Sequence, residues 1–290
     1  MSVSFLEAAA QFPHIISAAV FAVGACVGSF LNVCVFRIQR GESVAFPPSH
    51  CRCGKPIKFY DNIPIVSWFV LRGKARCCGS RISFRYPLVE SLTAVLFLAL
   101  WLAFPPAIAA AYMVFVSVLV FCAFIDLDTM TIPDAATVGG AFCGVALSAA
   151  VPELQDAIVG DLPAFASHLK GFALSVFSVA AASGFLYWLR LLAEKALSRE
   201  AMGEGDVILL GFIGAFCGWK GALTALFAGS LVGCFVMLPA VFVGALLRKK
   251  SCAGLEIPFG PWLAAGALVH IFCQKWTLPI IDSFLGVFAK

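Results

Sequence analysis

Acidic residues at the edge of an apolar stretch are the side chains in this sequence best suited to chemistry. Asp126, Asp128 and Asp134 lie within nine residues, directly after the apolar stretch 107–125. An ionised acid at the centre of a bilayer costs about 2.5–3.5 kcal/mol, so acids at membrane depth usually face a wet cavity and have a function. If the helix continues through 124–129, Asp126 and Asp128 point in directions about 200° apart, so both cannot face one cavity. We favour Asp126.

A second acid, Asp206, has a different setting, because two glycines precede it. Gly203 and Gly205 give the pattern Gly-x-Gly-Asp, which opens the apolar stretch 207–219. Glycine lets the backbone adopt a positive φ or approach a ligand closely, so we predict that this loop pairs with an extended substrate. The pattern lacks the third glycine and the preceding strand of a dinucleotide-binding fingerprint. We therefore predict that Asp206 and Asp126 meet at one site.

Two carboxyl groups a few ångströms apart can hydrolyse a peptide bond without a metal. They cannot both ionise easily, so they share one proton and titrate as a unit. The ionised acid deprotonates a water molecule while the protonated acid polarises the carbonyl. The sequence has no HExxH and no GxSxG motif. Intramembrane acids also mark proton-coupled transporters, and a non-catalytic assembly scaffold is a third reading. Transporter sites lie near the membrane midplane, whereas these acids lie at one mouth, which favours the hydrolase.

Four cysteines mark the segment 37–86, which is the sizeable stretch between the apolar segments. They are Cys51, Cys53, Cys77 and Cys78. Two cysteine pairs around a basic loop are typical of zinc ribbons, in which thiolates on a metal replace a hydrophobic core. The spacing is irregular, because one residue separates the first pair and none separates the second. A metal-free loop docked on the membrane helices is therefore the alternative, and a disulfide is disfavoured on a reducing side of the membrane.

The composition predicts an all-α, polytopic membrane protein. Sixty-one per cent of the residues are hydrophobic and 12% are charged, whereas soluble proteins have roughly 25% charged residues. A spanning helix needs about 20 apolar residues. About eight stretches approach or exceed that length: 14–36, 87–104, 107–125, 135–151, 171–189, 207–219, 221–247 and 258–274. The stretch 207–219 reaches only about 20 Å, so it is a short or tilted helix or a re-entrant segment.

The distribution of charge predicts the orientation of the chain. Sixteen of the twenty lysines and arginines lie in 37–86, 190–206 and 248–250, and with eight crossings these loops share one side. The positive-inside rule places that side in the cytoplasm and both termini outside. We predict a first transmembrane helix at 1–36, a small cytoplasmic Cys-containing loop domain at 37–86 and a transmembrane protease domain at 87–290. The net charge of +4 follows from this topology and does not indicate nucleic-acid binding.

A series of short motifs runs in order along most of the chain. They are GSFLN at 28–32, RGES at 40–43, PPSHC at 47–51, YDNIP at 60–64, Trp68, RYPLVE at 85–90, FIDLD at 124–128, IPD at 132–134 and GEGD at 203–206. Together they resemble the type IV prepilin peptidases, the leader peptidase/N-methyltransferase enzymes of pilus assembly and type II secretion.

The resemblance implies an intramembrane aspartyl protease of the GxGD type with Asp126 and Asp206 as its catalytic residues. It implies that prepilin or pseudopilin precursors are cut on the cytoplasmic side of the bacterial inner membrane, after a glycine that ends a short basic leader. Many members then methylate the new N-terminus, usually phenylalanine, with S-adenosylmethionine. The expected partners are the precursor proteins and the lipid membrane, and proteolysis needs no cofactor. The resemblance leaves the oligomeric state open.

The sequence departs from the family pattern at two places. The family usually has two CxxC pairs, whereas here the first pair is shortened around Arg52 and Ala75 stands where a cysteine is expected. This departure leaves open both the zinc site and any methyltransferase activity that depends on it. The family also commonly has a lysine at the position of Ile208, two residues after the GxGD aspartate. A cation beside the acid pair is therefore missing here.

Overall fold

A computed structural model of the protein describes residues 13–46, 48–51, 53–155, 163–198, 202–248 and 258–288. Within these ranges the chain forms helices and turns and no β-strand, which confirms the all-α prediction. The α-helices in this part of the chain are α1 Pro13–Ile38, α2 Val66–Val70, α3 Arg85–Ala103, α4 Pro106–Thr129, α5 Asp134–Ala150, α6 Ala164–Leu197, α7 Glu204–Arg248 and α8 Gly260–Phe288. The residues group into unit 1, Met1–Phe121, and unit 2, Cys122–Lys290.

Most of these helices are long and apolar enough to cross a bilayer. Six helices in the described part of the chain meet that requirement: α1, α3, α4, α6, α7 and α8. Helix α5 is apolar but shorter, with 17 residues. The chain is therefore a multi-pass membrane protein, as its composition predicts. The predicted number of crossings and the three-part division at residues 36 and 86 stay predictions.

Helix α7 joins two of the predicted apolar stretches, 207–219 and 221–247, into one element without a loop. The helix is interrupted at Gly218, where φ is 70° and ψ is 171°. The part before the break is about 20 Å long, and large side chains on several of its faces, such as those of Leu210, Phe212 and Ile213, are fully buried. A short helix that is apolar all round is typical of a protein interior. The predicted short helix is therefore present, and protein surrounds it.

In unit 1, small residues let α1 and α3 pack closely. A Cβ atom on Gly24 would lie 2.8 Å from the Cα atom of Ala94, and one on Gly28 would lie 2.8 Å from the Cα atom of Glu90. Small residues four positions apart commonly let membrane helices approach in this way. The side-chain amide of Asn32 also donates a 3.2 Å hydrogen bond to the carbonyl of Tyr86. The packing therefore holds the beginning of α3 against α1.

In unit 2, buried polar side chains stabilise the break in α7. The carbonyls of the last turn before a helix break lose their regular partners. The carbonyl of Ala215 accepts three side-chain hydrogen bonds instead, from Gln155 at 2.7 Å, Ser148 at 3.0 Å and Ser175 at 2.8 Å. All three donors are buried. Polar groups from α5, α6 and the Pro152–Gln155 turn therefore compensate for the interruption at Gly218.

We expect Gly218→Ala to destabilise the protein, because the φ and ψ of this residue lie in a region open almost only to glycine. Such a strained residue costs about 1–3 kcal/mol. Thermal unfolding of the purified protein in detergent would measure the loss. Gly184→Ala is the matched control, since Gly184 lies in α6 with a helical backbone and nothing within 4 Å of a new Cβ. Equal melting temperatures for both variants would contradict this account of the break.

Some residues used in the orientation prediction lie outside the described part of the chain. They are Arg52, Arg199, Lys249 and Lys250.

Candidate active site and cysteine cluster

The first predicted acid, Asp126, lies in the last turn of α4. Its side chain is 4% exposed. Its Oδ2 atom accepts a 2.9 Å hydrogen bond from the backbone N–H of Gly260, the first residue of α8. The helix ends just beyond Asp126 because Met130 adopts a left-handed φ of 52°, and the N–H of Met130 bonds the carbonyl of Asp126 at 2.8 Å. The end of one helix and the start of another therefore fix this carboxyl group.

The second predicted acid, Asp206, lies in the first turn of α7. Its side chain is 8% exposed, and its carboxyl group accepts a hydrogen bond from the backbone of Gly203. The N-terminus of a helix carries a partial positive charge, which favours an acid at this position. Asp206 and Asp126 interact electrostatically. The structure therefore brings together the two acids that the sequence selects.

Ile132 connects the segments that carry the two acids. It follows α4, and its side chain is 9% exposed. A Cβ atom on Gly205 would lie 3.0 Å from the Cβ atom of Ile132, and one on Gly260 would lie 3.2 Å from its Cδ1 atom. The two glycines therefore let the beginnings of α7 and α8 approach the same isoleucine side chain.

Of the two properties predicted for the GxGD glycines, a positive φ is not found, and the pairing of this loop with an extended substrate stays a prediction. Neither Gly203 nor Gly205 has a positive φ, since both lack the left-handed geometry found at glycines such as Gly218. Gly205 is required for packing against Ile132. Gly203 is exposed, and a Cβ atom on it would meet only Asp206 Oδ2, at 3.7 Å. Of the two, Gly203 is the one whose surroundings leave room for an extended substrate.

The two other acids of the first cluster, Asp128 and Asp134, are exposed in the structure. Asp128 lies on the continued helix α4 and points away from the buried face that holds Asp126, as the helical spacing predicts. Asp134 opens α5, where an acid favours the helix N-terminus. Burial therefore separates the pair Asp126 and Asp206 from the acids near it in sequence. A buried, interacting pair of carboxyl groups can provide one general base and one general acid.

The four cysteines of unit 1 meet in space despite their irregular spacing. The Sγ atoms of Cys51 and Cys78 are 3.5 Å apart, those of Cys53 and Cys77 are 3.4 Å apart, and all four lie within 4.8 Å of one another. Zinc–sulfur bonds of about 2.3 Å place tetrahedral ligands about 3.8 Å apart. The irregular spacing therefore does not keep the sulfur atoms apart, and their separations fit a zinc ion.

Two tight turns hold the cysteines in place. In the first turn, the N–H of Gly54 bonds the carbonyl of Cys51 at 2.8 Å. In the second turn, the N–H of Gly79 bonds the carbonyl of Ala75 at 2.8 Å. Both glycines have a positive φ, which a side chain would oppose. Each turn presents two sulfur atoms to the other.

The thiols influence one another strongly. A hydrogen bond from the backbone of Cys53, followed by hydrogen bonds from Cys77 and Cys78, lowers the pKa of the Cys51 thiol to about 6. Hydrogen bonding to Cys51, and then to Cys53, raises the pKa of Cys77 to about 12. Opposite pKa shifts in neighbouring thiols show that these sulfur atoms interact closely. A bound cation would stabilise them as thiolates.

Sequence reasoning missed one contact of the site. It gave no role to Gly260, whose N–H fixes Asp126. The Gly-Pro pair at 260–261 is a signal for a helix start, because proline is favoured in the first turn. No signal in the sequence links it to Asp126.

Comparisons with known proteins find matches along most of the chain. Residues 22–104 match the bacterial peptidase A24 N-terminal domain, and residues 113–238 match the type IV leader peptidase family. A prepilin leader peptidase/N-methyltransferase of Pectobacterium carotovorum is 34% identical, over 94% of this chain and 98% of the relative.

Two further relatives extend the comparison. The type 4 prepilin-like proteins leader peptide-processing enzyme of Escherichia coli is 33% identical, over 91% of this chain and 96% of the relative. A prepilin leader peptidase/N-methyltransferase of Myxococcus xanthus is 41% identical over 74% of this chain, a match that spans 60% of the relative's length. No solved structure matches the chain significantly. The extent of these matches shows that the chain belongs to the type IV leader peptidase family.

Proposed function

We propose that this chain is an intramembrane aspartyl peptidase that removes the leader from prepilin or pseudopilin precursors and then methylates the new N-terminus. The observation that carries the proposal is the buried, interacting pair Asp126 and Asp206. Burying two ionisable side chains at the ends of apolar helices costs free energy, and such residues in membrane proteins usually serve a function. Membership of the leader peptidase family supports the choice of a peptide substrate.

In the proposed cleavage, one acid of the pair takes a proton from water, and the water oxygen adds to the carbonyl carbon of the scissile bond. The other acid gives its proton to the carbonyl oxygen. The carbon–nitrogen bond then breaks, and the leaving amine takes the proton that the first acid removed from water. One hydroxyl group of the gem-diol returns its proton to the second acid as the carbonyl re-forms, which restores the pair. The products are a leader with a free carboxylate and a pilin with a free amine.

In the proposed methyl transfer, S-adenosylmethionine supplies the methyl group. The amine nitrogen forms a bond to the methyl carbon, the sulfur–carbon bond breaks, and the amine loses one proton to solvent. The names of the relatives include an N-methyltransferase activity, which supports this second step.

We place the cysteine cluster and the acid pair on the cytoplasmic side of the bacterial inner membrane. The basic segments at 37–86, 190–206 and 248–250 support this orientation through the positive-inside rule. Precursors are synthesised in the cytoplasm, so their basic leaders would reach the acid pair from the cytoplasmic side.

Cleavage of a prepilin in reconstituted membranes, read by mass spectrometry, tests this function. We expect one product that ends after the leader glycine and one whose mass includes an added methyl group when S-adenosylmethionine is present. Cleavage without methylation would reduce the function to a peptidase. Binding of the precursor without cleavage would instead support an assembly scaffold, and proton-coupled solute uptake by the same vesicles would support a transporter.

We further propose that Cys51, Cys53, Cys77 and Cys78 bind one structural zinc ion. Four thiolates at tetrahedral distances are the ligand set that zinc prefers in small domains with little hydrophobic core. Elsewhere in the loop domain, large apolar side chains such as those of Phe46 and Phe59 are exposed, at 76% and 87%. A metal would therefore provide the cross-link that apolar packing does not.

We expect the purified full-length protein to contain one zinc ion per chain. Cys51→Ser and Cys78→Ser should each weaken zinc binding by at least about 100-fold, because each removes a thiolate ligand. Elemental analysis and competition with a chelator would measure this. Cys143→Ser is the control, since Cys143 lies in α5 and in unit 2. Wild-type protein without stoichiometric zinc would remove the metal from the proposal.

A further inference from the structure

Unit 1 contains a cavity of about 800 Å³ to which the acid pair does not contribute. It lies between the two cysteine turns, the Phe59–Asn62 turn, helix α2 and the beginning of α3. Small-molecule sites usually enclose about 300–1,000 Å³ and combine apolar walls with a few placed polar groups. This cavity has that character, with walls that include Trp68, Leu71, Ile82, Lys58, Asp61 and Glu90.

Glu90 is the group in this cavity whose surroundings most clearly indicate a ligand. Its side chain is 7% exposed. Its Oε2 atom accepts a 2.6 Å hydrogen bond from the N–H of Ile65, and Ser29 forms a second hydrogen bond to the carboxyl group. Among the residues that the structure describes, no lysine, arginine or histidine forms an ion pair with Glu90. A buried carboxylate without a cation is costly, so a cationic ligand would stabilise it.

The backbone that Glu90 holds is strained. Ile65 has a φ of 63° and a ψ of −58°, and the N–H of Val66 bonds the carbonyl of Pro64 at 2.6 Å. This is a γ-turn of the rare positive-φ form, and a β-branched residue at positive φ is an outlier. Strain of this kind costs about 1–3 kcal/mol and gathers at ligand sites, where the surrounding structure holds it in place. The strained turn, the unpaired carboxylate and the cavity therefore coincide.

We propose that this cavity binds S-adenosylmethionine, an assignment that rests on the methyl transfer proposed above. The sulfonium group of this ligand is a permanent cation, and Glu90 supplies a negative charge for it. The ligand also has a carboxylate, for which the lining offers Lys58 and Arg81. Its adenine ring is flat and largely apolar, and Trp68 and Leu71 provide apolar wall. The lining therefore offers partners for the sulfonium group, the carboxylate and the adenine ring of the methyl donor.

A basic leader peptide is the competing occupant, and the charges of the lining disfavour it. Asp61 is already neutralised by Arg76, whose guanidinium donates hydrogen bonds of 2.8 and 3.0 Å to its Oδ1 atom. Glu90 is the other acid in the lining, against the basic side chains of Lys55, Lys58, Arg76 and Arg81. A peptide with several cationic side chains would meet net repulsion here. S-adenosylmethionine has two cationic groups and one carboxylate, so its single net positive charge meets less repulsion than several cationic side chains would.

Isothermal titration of the full-length protein in detergent with S-adenosylmethionine tests the proposal without measuring activity. Two variants change the cavity. Ala75→Phe fills it, because the Ala75 side chain lines the cavity while its backbone bonds to Ser80 and Gly79 stay available. Glu90→Gln removes the charge and keeps an oxygen acceptor for Ile65. Glu153→Gln, an exposed acid in unit 2, is the matched control.

We expect Ala75→Phe and Glu90→Gln each to weaken S-adenosylmethionine binding by about tenfold or more, and the control to leave it unchanged. Glu90→Gln should affect S-adenosylhomocysteine less, because this product has lost the sulfonium charge. Zinc content and melting temperature verify the fold of each variant.

Wild-type affinity in both folded variants would overturn the cavity assignment while the methyl transfer stands. Displacement of a bound leader peptide by Ala75→Phe, with donor binding unchanged, would assign the cavity to the leader and likewise overturn the proposal. Failure of wild-type protein to bind the methyl donor at all would remove the methyl transfer itself.

Discussion

Asp126→Asn and Asp206→Asn should each abolish leader cleavage, with kcat/KM lower by at least about 10³-fold. The proposed reaction needs one group that accepts a proton and one that donates a proton. Asparagine has nearly the shape of aspartate but can do neither at neutral pH. Because the two acids act as one unit, the double variant should lose little more activity than either single variant. Cleavage by reconstituted protein, followed by mass spectrometry, measures these rates.

The same substitutions should leave the protein as stable as the wild type or make it more stable. Asp126 and Asp206 are both buried, and they interact electrostatically. An asparagine at either position removes the interaction between like charges and keeps an oxygen that can accept the backbone N–H of Gly260 or Gly203. Loss of activity without loss of melting temperature is the pattern expected where stability has been given up for function.

Asp134→Asn is the matched control for this pair. Asp134 is an acid eight residues after Asp126, but it is exposed at the start of α5. We expect its cleavage rate to stay within about threefold of the wild type, since exposed substitutions usually have small effects. Methylation of a precursor supplied already cleaved should persist in all three variants. Wild-type cleavage by Asp126→Asn or Asp206→Asn would place the active site elsewhere.

The acids could be predicted from the sequence because the cost of burying charge is a local property. Asp126 and Asp206 each follow or open an apolar stretch, and that position alone requires an explanation. Helical spacing then separated Asp126 from Asp128, and the structure leaves Asp128 exposed. The family resemblance added the reaction, which spacing alone left open between a hydrolase and a transporter.

The cysteine cluster shows where spacing along the chain misleads. Cys53 and Cys77 depart from the regular pattern in different halves of the segment, yet their sulfur atoms lie 3.4 Å apart. The two irregularities compensate each other because the turns that carry them face one another. A rule that examines one pair at a time cannot detect this compensation.

Long-range backbone contacts could not be predicted for a different reason. Several glycines lie in the first part of α7, and the break occurs at Gly218. Donors from Gln155, Ser148 and Ser175 meet the carbonyl just before that residue. Which of these glycines interrupts the helix therefore depends on side chains 40 or more residues away in the sequence. Local propensity carries no information about them.

Gly260→Ala should reduce cleavage by about 100-fold, since a displacement of about 1 Å at a catalytic group can have that effect. The N–H of Gly260 bonds Asp126 Oδ2 at 2.9 Å. A new Cβ atom would lie 2.7 Å from the same oxygen and 3.2 Å from the Cγ atom of Asp126. Gly260 does not have a positive φ, so alanine can adopt its backbone conformation. The substitution therefore keeps the hydrogen-bond donor and forces the carboxyl group to move.

Two further glycines turn this expectation into a test of position. Gly203→Ala places its Cβ atom 3.7 Å from Asp206 Oδ2, an ordinary contact, so we expect a smaller loss of activity than for Gly260→Ala. Gly184→Ala meets nothing within 4 Å and serves as the control. The loss in Gly260→Ala should appear mainly in kcat, because the acid moves while the surfaces that bind substrate remain. A wild-type kcat in Gly260→Ala would mean that the contact with α8 does not set the position of Asp126. It would also contradict the proposed reaction, because two acids that exchange protons with one water molecule should not tolerate such a displacement.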